Sequence, residues 1–239
     1  MPPTTAGRHP DVTSQLPLAL RWPRRQRFEY FHPGANAPAV ASVRLAAVEP
    51  EAPWPFLAGP AGSGKTHLLM AACQAASEAG RHVQYLPLAA LGAHLPGALR
   101  GSVGSDLLAL DDVHAVAGDD AAEHALFDLY NRARADAVTV LFASREIPAH
   151  LALHLPDLRS RLGACTLAML KPLEEAERRQ VLRSHAEARG IRLDAAVLDW
   201  LFARHARDLG TLQDLLERID AASLAAHRRV TIPFLRDLL

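Results

Sequence analysis

The stretch that decides the fold is GPAGSGKT, residues 59–66, which fits the pattern G-x-x-x-x-G-K-[ST] in full. A short apolar run at residues 54–58 precedes it and predicts a buried strand, and residues 67–79 predict a helix that Gly80 ends. Chance clustering of glycines is the alternative, but the position between a strand and a helix argues against it. Backbone N–H groups of such a loop converge on phosphate oxygens, and the helix N-terminus adds its positive dipole end. The motif therefore predicts a phosphate-binding loop.

Each residue type in this stretch has a physical reason to be there. The glycines let the backbone curl, and Lys65 offers a compact point charge for β- and γ-phosphates, where the wider Arg fork would fit poorly. Lys65 and Lys171 are the only lysines among 26 basic residues, so a lysine in this loop is a notable choice. The hydroxyl of Thr66 is a predicted ligand of Mg²⁺. The candidate cofactor contacts from this stretch are Gly59, Gly62, Ser63, Gly64, Lys65, Thr66 and His67.

A second motif, LLALDDV at residues 107–113, ends an apolar run in two acids. A strand that ends in an acid beside a phosphate loop is typical of an Mg²⁺ partner, usually through water, and Asp111 takes this role. Asp112 is the predicted catalytic carboxylate that polarises the attacking water. The alternative is a carboxylate pair that caps the following loop, and the phosphate loop upstream favours the functional interpretation.

The rest of the chain alternates between strand and helix patterns and then becomes wholly helical. Further strands are predicted at residues 82–86, 106–110, 138–143 and 165–170, with a helix at residues 121–134 and a helical turn at 158–162. This alternation predicts a parallel sheet covered on both faces. Helical patterns follow at residues 174–189, after Asp194, from Thr211 and after Pro233. We expect a flexible tail at residues 1–27, a nucleotide-binding domain at 28–170 and an all-helical domain at 171–239.

Composition excludes several classes of protein. The 239 residues carry 26 basic and 26 acidic groups, so a protein that coats DNA through a basic excess is not expected. No run approaches about 18 apolar residues, and the N-terminus does not have the pattern of a secretory signal. The two cysteines cannot form a disulfide framework. We expect a cytoplasmic protein without a membrane partner.

These motifs together resemble AAA+ ATPases of the replication-initiator clade, the group of DnaA, and within it the DnaA-related regulatory inactivators of the Hda family. Residues 28–36, FEYFHPGAN, resemble the clade's adenine-holding N-terminal box, which implies that Phe28 and Asn36 contact the cofactor. LPDLRSRL, residues 155–162, resembles the box that carries the arginine finger, which would be Arg161. TIPFLRDLL, residues 231–239, resembles the end of the Hda lid. The resemblance covers residues 15–239 and implies an α/β fold: a three-layer αβα P-loop domain with a five-stranded parallel sheet, then a small helical lid.

Two positions depart from the clade's pattern. The polar sensor after the fourth strand is commonly Ser-Asp, whereas this chain has Ser144 and Arg145. The sensor arginine of the lid falls on Gly210, and Arg207 is the candidate replacement. These departures imply weak hydrolysis by the chain itself, with ADP or ATP and Mg²⁺ as the expected cofactors.

A short apolar island lies in the tail. QLPLAL, residues 15–20, resembles the sliding-clamp-binding peptide of such regulators, with Gln15, Leu16, Leu18 and Leu20 as the contacting residues. An exposed apolar segment of this kind can dock extended into a pocket on a partner, and collapse onto the domain edge is the alternative. The sequence ends at Leu239 without a stretch that resembles the initiator's helix-turn-helix, so we expect DNA contact mostly through the clamp.

Three functions are consistent with these observations. The resemblance favours a negative regulator of replication initiation that promotes hydrolysis of DnaA-bound ATP through Arg161 in trans. A helicase-loader or transposition-helper ATPase of the same clade is the second candidate. A P-loop phosphotransferase is the third, and the helical segment after the sheet speaks against it. The expected partners are DnaA and the polymerase sliding clamp, and self-association into a homo-oligomer stays open.

Overall fold

The computed structural model describes residues 26–204, 209–226 and 230–238. Its centre is a five-stranded sheet with the strand order β2-β3-β4-β1-β5, and every pairing in it is parallel. The strands are β1 (Pro55–Ala58), β2 (Val83–Pro87), β3 (Leu107–Asp111), β4 (Thr139–Ser144) and β5 (Thr166–Met169). Each strand begins within one residue of its predicted start. The predicted parallel sheet is confirmed.

Helices cover both faces of this sheet. They are α1 (Ala37–Val48), α2 (Lys65–Glu78), α3 (Leu88–Leu91), α4 (Leu95–Gly101), α5 (Asp120–Ala135) and α6 (Pro156–Gly163). One apolar cluster packs α1 and α2 against one sheet face, and a second packs α4, α5 and α6 against the other. The structure therefore has the three αβα layers that the alternation predicted. The sequence analysis did not identify α1, α3 or α4.

The burial of the strands explains why their sequences are continuous apolar runs. Every residue of β1, β3 and β4 is buried, as expected for central strands of a sheet covered on both faces. The edge strand β5 buries only Ala168. The phosphate loop follows β1, and the acid pair follows the apolar run of β3. Both motifs therefore lie at the carboxyl edge of the sheet, on either side of β4.

Four helices form a separate cluster after the sheet. They are α7 (Glu175–Glu187), α8 (Ala195–Arg204), α9 (Leu209–Ala226) and α10 (Ile232–Leu238), and we call them the helical lid region. A capping box between Glu174 and Glu177 fixes the start of α7. The four helices share an apolar core of their own. Within the described ranges, no helix is long and apolar enough to cross a bilayer.

The segment before α1 joins the sheet to the helical lid region. The Asn36 amide donates to the Lys171 carbonyl at 2.8 Å and accepts from the Lys171 N–H at 2.8 Å. The Tyr30 ring meets the His185 ring edge to face, with 6.3 Å between centroids. A Cβ on Gly34 would lie 3.0 Å from Glu177 Oε1, so the backbone passes close to α7. These contacts hold α7 beside the N-terminal segment.

The buried carboxylate of Glu123 fixes the approach to α6. Glu123 lies on α5 and is fully buried. Its Oε1 accepts from the N–H groups of Gly118 at 2.9 Å and His154 at 3.1 Å, and its Oε2 accepts from the Leu155 N–H at 2.8 Å. One side chain thus binds the loop that follows the acid pair and the chain that enters α6.

Replacing Glu123 by Gln is expected to destabilise the protein by about 1–3 kcal/mol, because an amide N–H₂ would oppose one of the three backbone donors. Glu123→Ala should cost more, since it leaves all three N–H groups without their acceptor. Denaturant unfolding measures both. Asp128→Asn, an exposed acid on the same helix, is the matched control, and equal stability of the Gln variant and this control would contradict the assignment.

Candidate nucleotide site

The loop at residues 59–64 turns sharply between β1 and α2. Gly62 and Gly64 have φ angles of 75° and 92°, in the left-handed region that favours glycine. A Cβ on Gly64 would lie 2.6 Å from Cε2 of Phe31, and one on Gly59 would lie 2.5 Å from the Leu170 carbonyl oxygen. Glycine is therefore required at both ends of the loop, where neighbouring groups leave no space for a side chain.

Lys65 opens α2 and is buried against the loop. Its Nζ donates to the carbonyl oxygens of Gly59 at 2.7 Å and Pro60 at 2.9 Å. Burial lowers the pKa of Lys65, while the charges of Asp111 and Asp112 oppose this shift. Neutral carbonyls are weaker partners for an ammonium group than an anion is, so this amine is suited to a phosphate.

Thr66 and Asp111 meet beside the lysine. The Thr66 hydroxyl donates to Asp111 Oδ2 at 2.6 Å, although the two residues come from α2 and β3. The Asp112 N–H donates to Asp111 Oδ1 at 2.9 Å. The structure thus brings the two predicted Mg²⁺ residues into direct contact, with Asp111 almost fully buried.

Tyr85 is a member of this cluster that sequence analysis missed. Its hydroxyl donates to Asp111 Oδ2 at 2.9 Å, the oxygen that Thr66 also contacts. Burial and the negative charge of Asp111 raise the pKa of Tyr85 well above its usual range, so the phenol stays protonated and donates. Tyr85 lies on β2 opposite Ala109 of β3. This position follows from the pairing of β2 with β3. No local sequence motif marks Tyr85 as a site residue.

Asp112 has a backbone conformation that is rare for a residue with a side chain. Its φ and ψ are 54° and 46°, in the left-handed region, which costs roughly 1 kcal/mol or more. Such residues cluster at functional sites, and Asp tolerates this region better than most. Asp112 directly follows Asp111, whose carboxylate contacts Thr66 beside the loop, so the backbone of the predicted catalytic residue lies close to the loop.

Ser144 ends β4 beside the loop and is fully buried. Its carbonyl oxygen accepts from the Gly59 N–H at 3.2 Å, and its hydroxyl accepts from the Glu146 N–H at 3.4 Å. Ser144 therefore joins β4 to the start of the phosphate loop, and its role as a phosphate sensor stays a prediction.

The N-terminal box, residues 28–36, packs against α1 and against the segment before α7. Phe28 is buried, and the guanidinium of Arg44 lies over its ring at 4.5 Å from the centroid. Both polar groups of the Asn36 amide bind the Lys171 backbone. The contact of Phe28 and Asn36 with the cofactor stays a prediction, whereas in this structure Asn36 bridges the sheet and α7. The physical reason is that a primary amide matches the N–H and C=O of a peptide unit.

His67 connects the box to α2. Its Nε2 lies 2.8 Å from the Arg27 carbonyl oxygen, and its ring meets that of Phe31 edge on at 5.3 Å. Burial lowers the pKa of His67. The neutral ring with a proton on Nε2 fits this environment.

The two arginines of α6 differ in their surroundings. The Arg159 guanidinium donates to the Leu153 carbonyl at 2.5 Å, so it holds the chain that enters α6. Arg161 is exposed, and no hydrogen bond or ion pair of its side chain is found in the described part of the chain. Of the two, Arg161 is available to a partner.

Some predicted residues lie outside the described ranges. These are Gln15, Leu16, Leu18 and Leu20 of the apolar island, and Arg207 of the lid. Gly210 lies in the first turn of α9.

The cluster fits a magnesium–nucleotide complex chemically. Gly62 and Gly64 let the loop backbone turn through the left-handed region, Lys65 supplies a cation, and Thr66 and Asp111 supply the oxygen donors that Mg²⁺ prefers. No group of three or more His, Cys, Asp or Glu side chains among the described residues could hold a metal by itself. A cation held by Thr66 and Asp111 would take its remaining ligands from water or phosphate oxygens.

Two family models match the chain. Residues 23–168 match the bacterial DnaA ATPase domain, which is more than half of the sequence, and residues 175–239 match the lid domain of Hda. The chain belongs to the bacterial DnaA ATPase family. Its helical lid region is of the Hda type.

Solved structures show the same fold. Domain III of DnaA from Thermotoga maritima is 23% identical with a TM-score of 0.72, over 91% of this chain and 97% of that one. AMPPCP-bound DnaA from Aquifex aeolicus is 21% identical with a TM-score of 0.67, over 86% of this chain and 68% of that one. A replication initiator DnaA bound to AMPPCP and single-stranded DNA is 24% identical with a TM-score of 0.67. That match covers 82% of this chain and spans 65% of the initiator's length.

The lowered pKa of His67 predicts a pH dependence of stability. The folded protein keeps this ring neutral, whereas the unfolded chain binds a proton below its ordinary pKa of 6.5. Stability from this site is complete above that value and is lost as the pH falls below it. The wild type should therefore lose more unfolding free energy than His67→Gln between about pH 7.5 and 5.5. Denaturant titrations at both pH values measure the difference.

The matched control is His150→Gln, which removes an exposed histidine and leaves the buried ring of His67 in place. Parallel pH curves for the wild type and His67→Gln would show that the buried ring does not titrate as described.

Proposed function

We propose that the chain binds ADP or ATP with Mg²⁺ through residues 59–66 and Asp111. The contact that carries this proposal is the 2.6 Å hydrogen bond from Thr66 to Asp111 beside the buried Lys65. Membership of the DnaA ATPase family supports an adenine nucleotide. When bound, magnesium and nucleotide supply the phosphoryl chemistry of the site. Lys65 offsets phosphate charge, Thr66 and Asp111 offer oxygen ligands, and Asp112 is the carboxylate that can accept a proton from water.

We further propose that the chain regulates replication initiation negatively, by promoting hydrolysis of ATP on the initiator DnaA. The Hda-type lid at residues 175–239 supports this assignment over that of the initiator itself. In this proposal Arg161 enters the initiator's nucleotide site and stabilises the charge that develops on the transferred phosphoryl group. An arginine that acts in trans must be exposed and rigidly mounted. Arg161 is exposed, and Glu123 and Arg159 both hold the chain that enters its helix.

An apolar pair next to α6 suits a protein partner. Leu167 and Met169 on β5 are 47% and 57% exposed, and alternation along a strand puts them on one sheet face. Ala168, which lies between them, packs in the apolar cluster of α1 and α2 on the opposite face of the sheet. This apolar pair therefore lies on the side of the sheet that bears α6, where a sister ATPase would bury it.

Replacing Arg161 by Ala is expected to lower the stimulated hydrolysis of DnaA-bound ATP by roughly 10³-fold, the usual worth of an arginine finger. The measurement is phosphate release from ATP-loaded DnaA with clamp and DNA present. Arg100→Ala on α4, also an exposed arginine, is the matched control and should stimulate like the wild type. Full stimulation by Arg161→Ala would overturn the mechanism.

The clamp is proposed as the partner that brings the chain to DNA. The support for it is the sequence of residues 15–20 alone, a Gln-Leu segment of the kind that can dock into a pocket on a partner. The helicase-loader alternative assigns the same N-terminal segment to a different cargo. The two proposals differ in which protein the segment captures.

Gln15→Ala combined with Leu18→Ala should abolish retention of the chain by immobilised clamp, because both side chains would contact its pocket. Thr13→Ala, just outside the motif, is the control and should bind like the wild type. Unchanged clamp binding by the double variant, together with capture of replicative helicase, would favour the loader function instead.

A further inference from the structure

The hydroxyl of Tyr85 reaches the acid pair from a neighbouring strand. Tyr85 lies on β2 opposite Ala109, and Asp111 comes two residues after Ala109 on β3. Since side chains alternate along a strand, Ala109 and Asp111 point to the same sheet face, and Ala109 packs there in the apolar cluster of α2. Thr66, in the first turn of α2, contacts Asp111 from this side. Tyr85 and Thr66 therefore approach one carboxylate from a strand and from a helix.

The hydrogen bonds of Asp111 are divided unequally between its two oxygen atoms. Oδ2 accepts from the Thr66 hydroxyl at 2.6 Å and from the Tyr85 hydroxyl at 2.9 Å, whereas Oδ1 accepts from the Asp112 N–H at 2.9 Å. An ionised carboxylate has about four acceptor positions, two on each oxygen. As far as the described residues are concerned, Oδ2 is fully used and the open position of Asp111 is on Oδ1.

Two donors on the same oxygen restrain the carboxylate against rotation. The last torsion of an aspartate side chain has broad minima, so a single hydrogen bond from Thr66 leaves this group freedom to turn. Tyr85 adds a second donor from a different element, and its ring is itself held by packing against the apolar cluster of α2. The carboxylate is therefore oriented with Oδ2 toward the two hydroxyls and with Oδ1 left for another partner.

We propose that Tyr85 is a positioning residue of the nucleotide site: by binding Oδ2 of Asp111, its hydroxyl keeps Oδ1 available to Mg²⁺ or to a water molecule of its hydration shell, and so strengthens Mg²⁺-dependent nucleotide binding. This inference rests on the nucleotide binding proposed above. Groups that orient a metal-binding side chain from outside the metal's ligand set typically change metal affinity by about 10–100-fold. The alternative is that the hydroxyl only satisfies its own burial.

The test is the affinity of the full chain for ADP, measured by calorimetry with Mg²⁺ and again with EDTA in place of Mg²⁺. We call the ratio of these two affinities the Mg²⁺ enhancement. Tyr85→Phe keeps the ring and removes the hydroxyl, so it should lower the Mg²⁺ enhancement roughly tenfold and leave the affinity in EDTA like that of the wild type. Tyr130→Phe is the matched control, because it removes the hydroxyl of a buried tyrosine on α5 that accepts from Arg134. Its Mg²⁺ enhancement should equal that of the wild type.

A second variant tests whether Tyr85 acts through Asp111. Asp111→Asn removes the carboxylate that the Tyr85 hydroxyl binds, so Tyr85→Phe should cause no further loss of the Mg²⁺ enhancement when it is added to Asp111→Asn. A further tenfold loss in the double variant would show that the hydroxyl acts by another route and would overturn the proposal.

The outcomes separate this inference from the function on which it rests. If the wild type does not bind ADP, or binds it equally with Mg²⁺ and with EDTA, the proposed magnesium–nucleotide site is wrong and the role of Tyr85 falls with it. If Mg²⁺ strengthens binding to the wild type and Tyr85→Phe keeps the full Mg²⁺ enhancement, the role of Tyr85 alone is overturned. Thermal unfolding without ligand checks that each variant is folded, and a lower melting temperature with an unchanged Mg²⁺ enhancement assigns the hydroxyl to stability only.

Discussion

The hydrogen bond between the Thr66 hydroxyl and the Asp111 carboxylate is the contact on which the rest of the structure depends. It joins two residues 45 positions apart, one at the start of α2 and one at the end of β3. They can meet only if β1 and β3 run in the same direction, because parallel strands end at the same edge of a sheet. The right-handed βαβ connections that this requires bury both faces of the sheet, and the three central strands are wholly buried as a result.

A buried carboxylate and a buried ammonium so close together would be costly unless each were satisfied. Asp111 accepts three hydrogen bonds, from Thr66, Tyr85 and the Asp112 N–H, and Lys65 donates to the carbonyls of its own loop. Both groups are therefore held in place before any ligand arrives. Such pre-organisation lowers the cost of ordering side chains when an anion binds.

The sequence predicted the parts of the fold that have local signals. All five strands and the phosphate loop were found because apolar runs and a motif of eight residues identify them without reference to distant residues. Helix α1 was missed, since Ala dominates its sequence and its apolar residues show no distinct face. Tyr85, Glu123 and Arg159 were also missed as site or supporting residues. Their roles come from contacts with strands or loops far along the chain, which no local pattern records.

Charge and exposure distinguished residues that look alike in sequence. Arg159 and Arg161 are two positions apart, yet Arg159 holds a loop through the Leu153 carbonyl, whereas Arg161 is exposed and makes no side-chain hydrogen bond to the residues that the structure describes. The N-terminal box is a predicted set of cofactor contacts, and that role stays a prediction. In the structure Phe28 is covered by Arg44, and Asn36 is bound to the backbone of Lys171. Burial and pairing, rather than residue type, decide which side chains can meet a ligand or a partner.

The pairing of Asn36 with Lys171 has a mechanical consequence. Lys171 lies just after β5 and before α7, where the chain passes from the sheet to the four lid helices, so any rotation of those helices would act on this pairing. A rotation that leaves the N-terminal segment behind must break two hydrogen bonds, at a cost of about 1–3 kcal/mol. A rotation that keeps them must carry the segment along, and with it Phe31, whose ring lies against Gly64 of the loop. The Asn36 amide thus couples the segment before α7 to the N-terminal segment, and through Phe31 to the phosphate loop.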